Sequence, residues 1–296
     1  MKRPDTVDRG RIRLGTALGS GAQGTVWAGR GEGIDVAVKL VPSANLNPRF
    51  GGEAQALASI QHPHIVPFHG WGHEGAWAWI ATARMEGGSS MARMDEHGPW
   101  PIDDALRMAF DTLCGLAALH HRDILHRDVK PANVFIDAQG RAVLGDLGVA
   151  QLPAGAVGYE TATGTNLGTV DYAAPEQTTD AKRVDARADI YGVGATLFAW
   201  VVGHRPSFLY AREEYPQAYA PLPEELHDLV AKACAHAPSE RFENARAMAQ
   251  AIVDQLHRRG AAGDPDEMMA TFDELSPVPP WWVRWWYRLR AWFALF

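Results

Sequence analysis

The alternation of apolar and polar positions divides the chain into a strand-rich first part and a helix-rich remainder. Up to about residue 83, apolar side chains recur at every second position, which is typical of strands with one buried face. The predicted strands cover residues 11–18, 25–29, 35–41, 64–72 and 76–83, and one helix is predicted over residues 50–60.

After Gly87 and Gly88 the apolar residues recur with the helical period. Helices are predicted over residues 101–121, 188–202, 223–236 and 244–257, and short strands around residues 134–136 and 142–144. Pro101 suits the first turn of a helix, and Asp103 and Asp104 lie at its positive end. Residues 260–280 are rich in Gly, Asp and Pro, so a linker is expected there.

Composition narrows the class of protein without naming a function. The chain has 296 residues, 47% of them hydrophobic, and a formal net charge of -7, so a globular protein that does not bind nucleic acid is expected. Cys114 and Cys234 lie in apolar helical patterns, so reduced thiols are expected rather than a disulfide framework. Neither a signal peptide nor a run of eighteen apolar residues is visible, and a cytoplasmic location is expected.

A glycine-rich turn follows the first predicted strand. Gly19, Gly21 and Gly24 fit a G-x-G-x-x-G-x-V pattern that ends at Val26. Glycines let a backbone approach phosphates and present N–H groups to them, although a plain glycine-rich hairpin would give the same pattern. A dinucleotide-binding fold requires a helix after the turn, whereas the residues after Gly24 continue as a strand, so a hairpin over a nucleotide fits better.

A lysine inside the next strand has a potential partner on the following helix. Lys39 lies between apolar residues in Val36-Ala37-Val38-Lys39, and Glu53 belongs to the predicted helix. An ion pair between them would aim the ammonium group at the phosphates of a nucleotide. A solvated strand lysine and a surface carboxylate are the plainer interpretation of the two residues taken separately.

The densest chemistry lies in His126-Arg127-Asp128-Val129-Lys130-Pro131-Ala132-Asn133, followed by Asp146-Leu147-Gly148. Carboxylate, amide and ammonium groups on one loop can serve a hydroxyl nucleophile, a phosphate and a metal ion. Such a set suits phosphoryl transfer, where catalysis is mostly positioning and charge neutralisation.

Together these motifs resemble the eukaryotic-like (Hanks-type) serine/threonine protein kinases, in particular bacterial members, in order and spacing from about residue 11 to residue 256. The remaining matches are Ala174-Pro175-Glu176, Asp189-Ile190-Tyr191-Gly192 and Arg241. Lys130 and Gly168-Thr169-Val170-Asp171-Tyr172 match the serine/threonine form rather than the tyrosine form.

The resemblance implies an α+β, bilobal protein kinase fold over residues 11–258. A small β-rich lobe with one main helix would cover residues 11–83, a hinge residues 83–88, and a larger helical lobe residues 89–258. A linker over residues 259–280 and a Trp/Arg-rich amphipathic segment over residues 281–296 would follow.

The resemblance also implies a role for each site residue. Asp128 would accept the proton of a substrate hydroxyl, and Lys130 and Lys39 would neutralise phosphate charge. Asn133 and Asp146 would hold Mg²⁺, with Mn²⁺ as the alternative ion. The implied ATP-binding residues are Leu18, Gly19, Gly21, Gly24, Val26, Ala37, Lys39, Glu53, Thr82 and Met85. Arg127, Thr169, Glu176, Asp189 and Arg241 would support the site structurally.

The implied activity is transfer of the γ-phosphate of ATP to Ser/Thr hydroxyls of protein substrates. Phosphorylation at Thr161 or Thr163, by a second copy in a transient homodimer, would supply a phosphate partner for Arg127. The alternatives are a pseudokinase scaffold, which loss of Lys39, Asp128, Asn133 or Asp146 would indicate, and a small-molecule kinase. None of the four residues is lost, and Lys130 with Ala174-Pro175-Glu176 argues against the second alternative.

Residues 281–296 are unlike the rest of the chain. As a helix they would carry Arg284 and Arg288 on one face, and on another face Trp285, Leu289, Trp292 and Phe296. Tryptophan and arginine at this density suit a membrane interface, which would place the protein at the inner face of a membrane. Packing on the protein's own kinase domain, or on a partner protein, remains the alternative.

Overall fold

The computed structural model describes residues 3–21, 24–45, 51, 54–55, 58–146, 171–179, 184–261 and 263–276. Glu53, Leu147, Thr161, Thr163, Thr169 and residues 281–296 lie outside the described part of the chain.

The first part of the chain forms one six-stranded antiparallel sheet with the strand order β1-β2-β3-β4-β6-β5. Its strands are β1 (Thr6–Val7), β2 (Ile12–Gly21), β3 (Gly24–Gly31), β4 (Ile34–Pro42), β5 (Phe68–Glu74) and β6 (Trp77–Ala83). In β4, Val36, Val38 and Leu40 are buried on one face and Lys39 lies on the other. This period of two is the pattern from which the strand was predicted.

The remainder is mainly helical. It contains α1 (Ser90–His97), α2 (Ile102–His120), α3 (Pro175–Thr179), α4 (Arg187–Val202), α5 (His227–Ala233), α6 (Ala245–Arg258) and α7 (Pro265–Leu275), with β7 (Val134–Ile136) paired to β8 (Ala142–Leu144). The side chain of Ser89 caps α1 by accepting a hydrogen bond from the amide of Ala92. Helix α4 is apolar on all sides and is buried over most of its length, as expected of a central core helix. The α+β, two-lobed fold expected from the sequence is confirmed.

The region predicted as one strand over residues 64–72 is divided in the structure. Strand β5 begins only at Phe68. The preceding residues bond to the large lobe instead: the amide of Val66 donates to the carbonyl of Leu144, and the amide of Leu144 donates to the carbonyl of His64. This segment therefore joins the sheet to the helical part, which an alternating pattern alone does not reveal.

Two other regions differ from the sequence-based expectation. Residues 223–236 contain a 3₁₀ turn (Glu224–Leu226) before the shorter helix α5. Residues 259–280, expected to be a linker, contain α7, which buries Met269 and Phe272. The Gly and Pro residues that suggested a linker mark the start of this helix, where Pro265 follows the capping residue Asp264.

Candidate active site

The glycine-rich turn is a hairpin between β2 and β3. Gly21 lies opposite Gly24, and Gly19 lies opposite Val26. A side chain at residue 24 would collide with the carbonyl oxygen of Leu40, and the φ of Gly24 is +133°, so this position requires glycine. The strand that continues after the turn excludes the strand–turn–helix arrangement of a dinucleotide-binding fold.

Lys39 extends from β4 towards the large lobe. Its Nζ lies 2.6 Å from a carboxylate oxygen of Asp146, and the two side chains are 12% and 32% exposed. The structure therefore brings together two predicted site residues that are more than a hundred positions apart in the chain. Glu53, the other predicted partner of Lys39, lies outside the described residues.

Two side chains converge on the carboxylate of Asp128. The Nζ of Lys130 donates to its Oδ2 at 2.9 Å, and the Nδ2 of Asn133 donates to the same oxygen at 2.9 Å and to the Asp128 carbonyl at 2.8 Å. Because the amide nitrogen of Asn133 is used in this way, its Oδ1 oxygen is presented on the opposite side of the amide group. The predicted Asp-x-Lys-x-x-Asn set is thus one connected cluster.

His126 ties this loop to the turn that carries Asp146. Its Nδ1 accepts from the amide of Asp128, and its Nε2 donates to the carbonyl of Gly145 at 2.9 Å. One ring nitrogen accepts and the other donates, so these bonds fit the neutral imidazole. The amide of Gly145 in turn donates to the carbonyl of Asn133. Asp146 itself has a φ of +50°, a left-handed conformation that is uncommon outside glycine.

A buried carboxylate on α4 holds the start of the same loop. Asp189 accepts hydrogen bonds from the amides of His126 and Arg127 and from Nε2 of His120, at 2.9, 2.7 and 2.7 Å. Burial disfavours the charged form, but the bonds from His120 and from the His126 amide outweigh it and hold the pKa of Asp189 below its ordinary value. His120 was not predicted from the sequence, because a histidine in the last turn of a helix is usually unremarkable.

Glu176 and Arg241 form a bidentate ion pair with N–O distances of 2.6 and 2.7 Å. The Arg241 side chain is fully buried, and its other N–H groups donate to the carbonyls of Ala235, His236 and Arg187. The pair joins α3 to the loop before α6. Gln177, the next residue, donates to the carbonyl of Arg127 at 2.8 Å and accepts from the amide of Ala174. Gln177 thereby links α3 to the 126–133 loop, a role for which the sequence offered no separate signal.

The end of β6 leads into the predicted hinge. Thr82 pairs with Ala37 across the sheet, so these two predicted nucleotide-site residues are neighbours. A cavity of about 270 Å³ next to them is lined by Asp35, Arg84, Met85 and Glu86, of which only Met85 was predicted as a site residue. Gly87 packs so closely on the carbonyl of Ile136 that a side chain there would lie 2.5 Å from it.

The oxygen atoms of Asn133 and Asp146 are of the chemical type that binds a magnesium ion. Magnesium prefers carboxylate and carbonyl oxygens, which Asp146 and the Oδ1 of Asn133 supply. Within the described residues no cluster of three or more His, Cys, Asp or Glu side chains is suited to a metal ion, so the two residues would need phosphate oxygens and water to complete the shell.

Comparison with known proteins identifies the family to which the chain belongs. The protein kinase domain family matches residues 12–255, which is most of the chain. This protein belongs to the protein kinase family. Its fold is shared by a crystal structure of Rad53 residues 1–466 in complex with AMP-PNP, with a TM-score of 0.67 and 22% sequence identity over 81% of this chain and 64% of that one.

Curated relatives include bacterial serine/threonine-protein kinases. The chain is 33% identical over 268 residues to PknL of Mycobacterium tuberculosis (strain CDC 1551 / Oshkosh), covering 83% of this chain and 66% of that protein. It is 34% identical over 275 residues to PknF of Mycobacterium tuberculosis (strain ATCC 25177 / H37Ra), covering 84% and 56%. The chain thus spans somewhat more than half the length of these relatives. Membership of the family implies binding of ATP.

Proposed function

We propose that this protein is an ATP-dependent serine/threonine protein kinase that transfers the γ-phosphate of ATP to hydroxyls of protein substrates. The observation that carries the proposal is the cluster around Asp128, in which Lys130 and Asn133 contact one carboxylate while Lys39 contacts Asp146. All four residues whose loss would indicate a pseudokinase are present, and all lie at one junction between the lobes. The names of the curated relatives support the same activity.

In this proposal Asp128 accepts the proton of the substrate hydroxyl as that oxygen attacks the γ-phosphate. Its Oδ2 is oriented by two donors, from Lys130 and Asn133, so the carboxylate is positioned before the substrate arrives. Lys130 lies beside the attacking oxygen and offsets the negative charge that develops on the phosphate. Lys39 contributes a second positive charge from the opposite lobe.

Asn133 and Asp146 are the proposed magnesium ligands, since both present oxygen atoms at the edge of the loop. The ion would neutralise phosphate charge and orient the phosphate groups. The backbone of the glycine-rich hairpin covers the phosphates, and Leu18, Val26, Ala37, Thr82 and Met85 surround the base. Glu53 holds Lys39 in this proposal.

The test is transfer of labelled phosphate from ATP to a generic protein substrate. Asp128→Asn should abolish the transfer, because the amide cannot accept the proton, and Asp95→Asn on the exposed side of α1 should leave it unchanged. A wild-type protein that binds ATP without transferring phosphate would indicate the pseudokinase alternative. Transfer only to small molecules would indicate the small-molecule kinase alternative.

Activation by phosphorylation of the protein's own Thr161 or Thr163 is a further part of the proposal. Arg127, the residue before Asp128, is exposed, and its backbone amide and carbonyl are bound by Asp189 and Gln177. A phosphate bound by the Arg127 guanidinium would connect residues 161–163 with Asp128. Mass spectrometry after incubation with ATP should find phosphate there, and an active protein without it would contradict this step.

Contact with a membrane or partner through residues 281–296 remains a prediction. Among the helices that the structure describes, none has the length and apolar character needed to cross a membrane. Sedimentation with anionic vesicles, with and without residues 277–296, tests the contact, and equal sedimentation would contradict it.

A further inference from the structure

A chain of buried hydrogen bonds connects α4, α1 and the 126–133 loop. Nε1 of Trp200 donates to Oγ of Ser90 at 2.9 Å, and Oγ of Ser90 donates to the carbonyl of Pro131 at 2.8 Å. Ser90 and Trp200 are both fully buried. An indole N–H can only donate and a carbonyl can only accept, so the direction of both bonds is fixed and the Ser90 proton points at Pro131.

Pro131 opens the short 3₁₀ turn Pro131–Asn133, which carries the proposed magnesium ligand. The turn is closed by a bond from the amide of Asn133 to the carbonyl of Lys130. Ser90 therefore holds the first residue of the turn, Pro131. The last residue of the turn is Asn133, so the same turn sets the direction of the Asn133 side chain. A small rotation of the Pro131 peptide would move Asn133 relative to Asp128.

Helix α4 consequently holds the loop at two points on either side of Asp128. Asp189 binds the amides of residues 126 and 127 directly, and Trp200 acts on residue 131 through Ser90. The two anchors lie three turns apart on one rigid helix, about 16 Å along its axis. The first anchor was predicted from the sequence as a structural residue, and the second was not.

Ser90 lies two residues after the hinge, and the residues between them are also attached to the large lobe. Ser89 forms a β-bridge with Phe135, and the amide of Ile136 donates to the carbonyl of Gly88 at 3.0 Å. The beginning of α1 is therefore attached to the chain both before and after Asn133. A change at Ser90 acts on the turn without removing these other attachments.

We propose that Ser90 is a positioning residue that sets the magnesium affinity of the site by fixing the Pro131–Asn133 turn. This inference rests on the proposed function, since it takes Asn133 as a ligand of the ion that accompanies ATP. Ser90 touches neither the nucleotide nor the substrate in this role. It acts through the carbonyl of Pro131.

The test compares Ser90→Ala with Ser276→Ala in the full chain. Ser276 is the matched control because it is also a buried serine whose Oγ donates to a backbone carbonyl, that of Cys114 at 2.9 Å, away from Asp128. Two quantities are measured against magnesium concentration: the melting temperature in the presence of ATP, and the initial rate of phosphate transfer. The first does not require turnover.

Ser90→Ala should raise the magnesium concentration at half effect about two- to tenfold in both measurements, which is the range expected for one hydrogen bond. Ser276→Ala should lower the melting temperature to a similar degree and leave the magnesium dependence unchanged. A wild-type magnesium dependence in Ser90→Ala, or an equal shift in Ser276→Ala, would overturn the proposal. If Ser90→Ala does not fold, Ser90→Cys keeps the size with a weaker donor and is judged by the same outcomes.

The two proposals fail in different ways. If magnesium raises the melting temperature of the ATP-bound wild type but phosphate transfer does not depend on Asp128, the proposed function fails, and the melting series still decides the role of Ser90. If magnesium has no effect on the ATP-bound protein, the role of Ser90 is overturned directly.

Discussion

The two lobes support the site by different means. In the small lobe the sheet packs one face around a limited cluster that includes Val36, Val38 and Leu40, and its groups at the site come from strand positions and a glycine hairpin. In the large lobe a continuous core surrounds α4, and buried polar side chains bind the 126–133 loop by its backbone. The small lobe thus contributes a backbone that can approach phosphates closely. The large lobe instead fixes the geometry of the 126–133 loop. Substitutions in the two lobes should fail in different measurements.

The largest expected effect is at the large-lobe anchor. Asp189→Ala removes the acceptor for the amides of His126 and Arg127 and for the ring of His120. One buried and two partly buried donors without partners should cost about 3–6 kcal/mol of unfolding free energy, a large part of the stability of a typical domain. Urea denaturation measures this loss. Asp95→Ala on the surface of α1 is the control, and a similar small loss for both variants would contradict the anchor.

The second prediction compares a buried ion pair with an exposed one. Arg241 and Arg246 each form a bidentate pair, with Glu176 and Asp273, but the Arg241 side chain is fully buried while both side chains of the other pair are about half exposed. Arg241→Ala leaves a buried charge and should cost about 3–5 kcal/mol. Arg246→Ala should cost at most about 1 kcal/mol. Equal losses in urea denaturation would show that burial does not separate the pairs.

The third prediction concerns the small lobe. Gly24→Ala must displace the backbone of Leu40 and should raise the KM for ATP several-fold while costing about 1–3 kcal/mol of stability. Gly33 also has a positive φ but faces open space. Gly33→Ala therefore introduces the same kind of backbone strain without a collision with another residue. Kinetics at varied ATP concentration should show a changed KM only for Gly24→Ala. A changed KM in both variants would mean that general strain, rather than the hairpin, is responsible.

The smallest expected effect is a pH dependence at the junction of the lobes. Burial, followed by the neighbouring His64, lowers the pKa of His62 to about 4, and its Nδ1 accepts from the amide of His64. The unfolded chain takes up this proton near its ordinary pKa, so the stability contribution is complete above about pH 6.5 and is lost as the pH falls towards 4.

Melting temperatures between pH 7.5 and 4.5 should therefore fall more steeply for the wild type than for His62→Asn. Burial raises the pKa of nearby Asp111, which changes stability in the opposite direction, but this group is present in both proteins and cancels in the difference. If the melting temperatures of the two proteins fall in parallel with pH, His62 is not the cause of the pH dependence.

The sequence allowed the fold and the cluster around Asp128 to be predicted because their signals are local. Strand alternation, the glycine turn and the spacing of Asp128, Lys130 and Asn133 all lie within short windows. Ser90, His120 and Gln177 could not be found in this way, since their importance comes from partners more than forty residues away. Trp200 carried a weak signal, because a tryptophan in a wholly apolar helix still requires an acceptor for its N–H.

In the Gly- and Pro-containing region after residue 259, a local signal was present but led to the wrong prediction. Local composition indicated a linker, yet Phe272 packs edge-on against Phe110 of α2 and Met269 is buried beside it. The burial of a few apolar side chains on an existing helix was enough to override the loop-like start of the segment.

Helix α7 also has a practical consequence for where the protein can be cut. The kinase family match ends at residue 255, but the surface of α2 beneath α7 includes the ring of Phe110. A protease that removed residues after 258 would uncover this apolar strip and leave the carbonyl of Cys114 without the hydroxyl of Ser276. The shortened protein would expose this apolar surface and would tend to aggregate. The smallest fragment that stays monomeric and folded should therefore extend through residue 276.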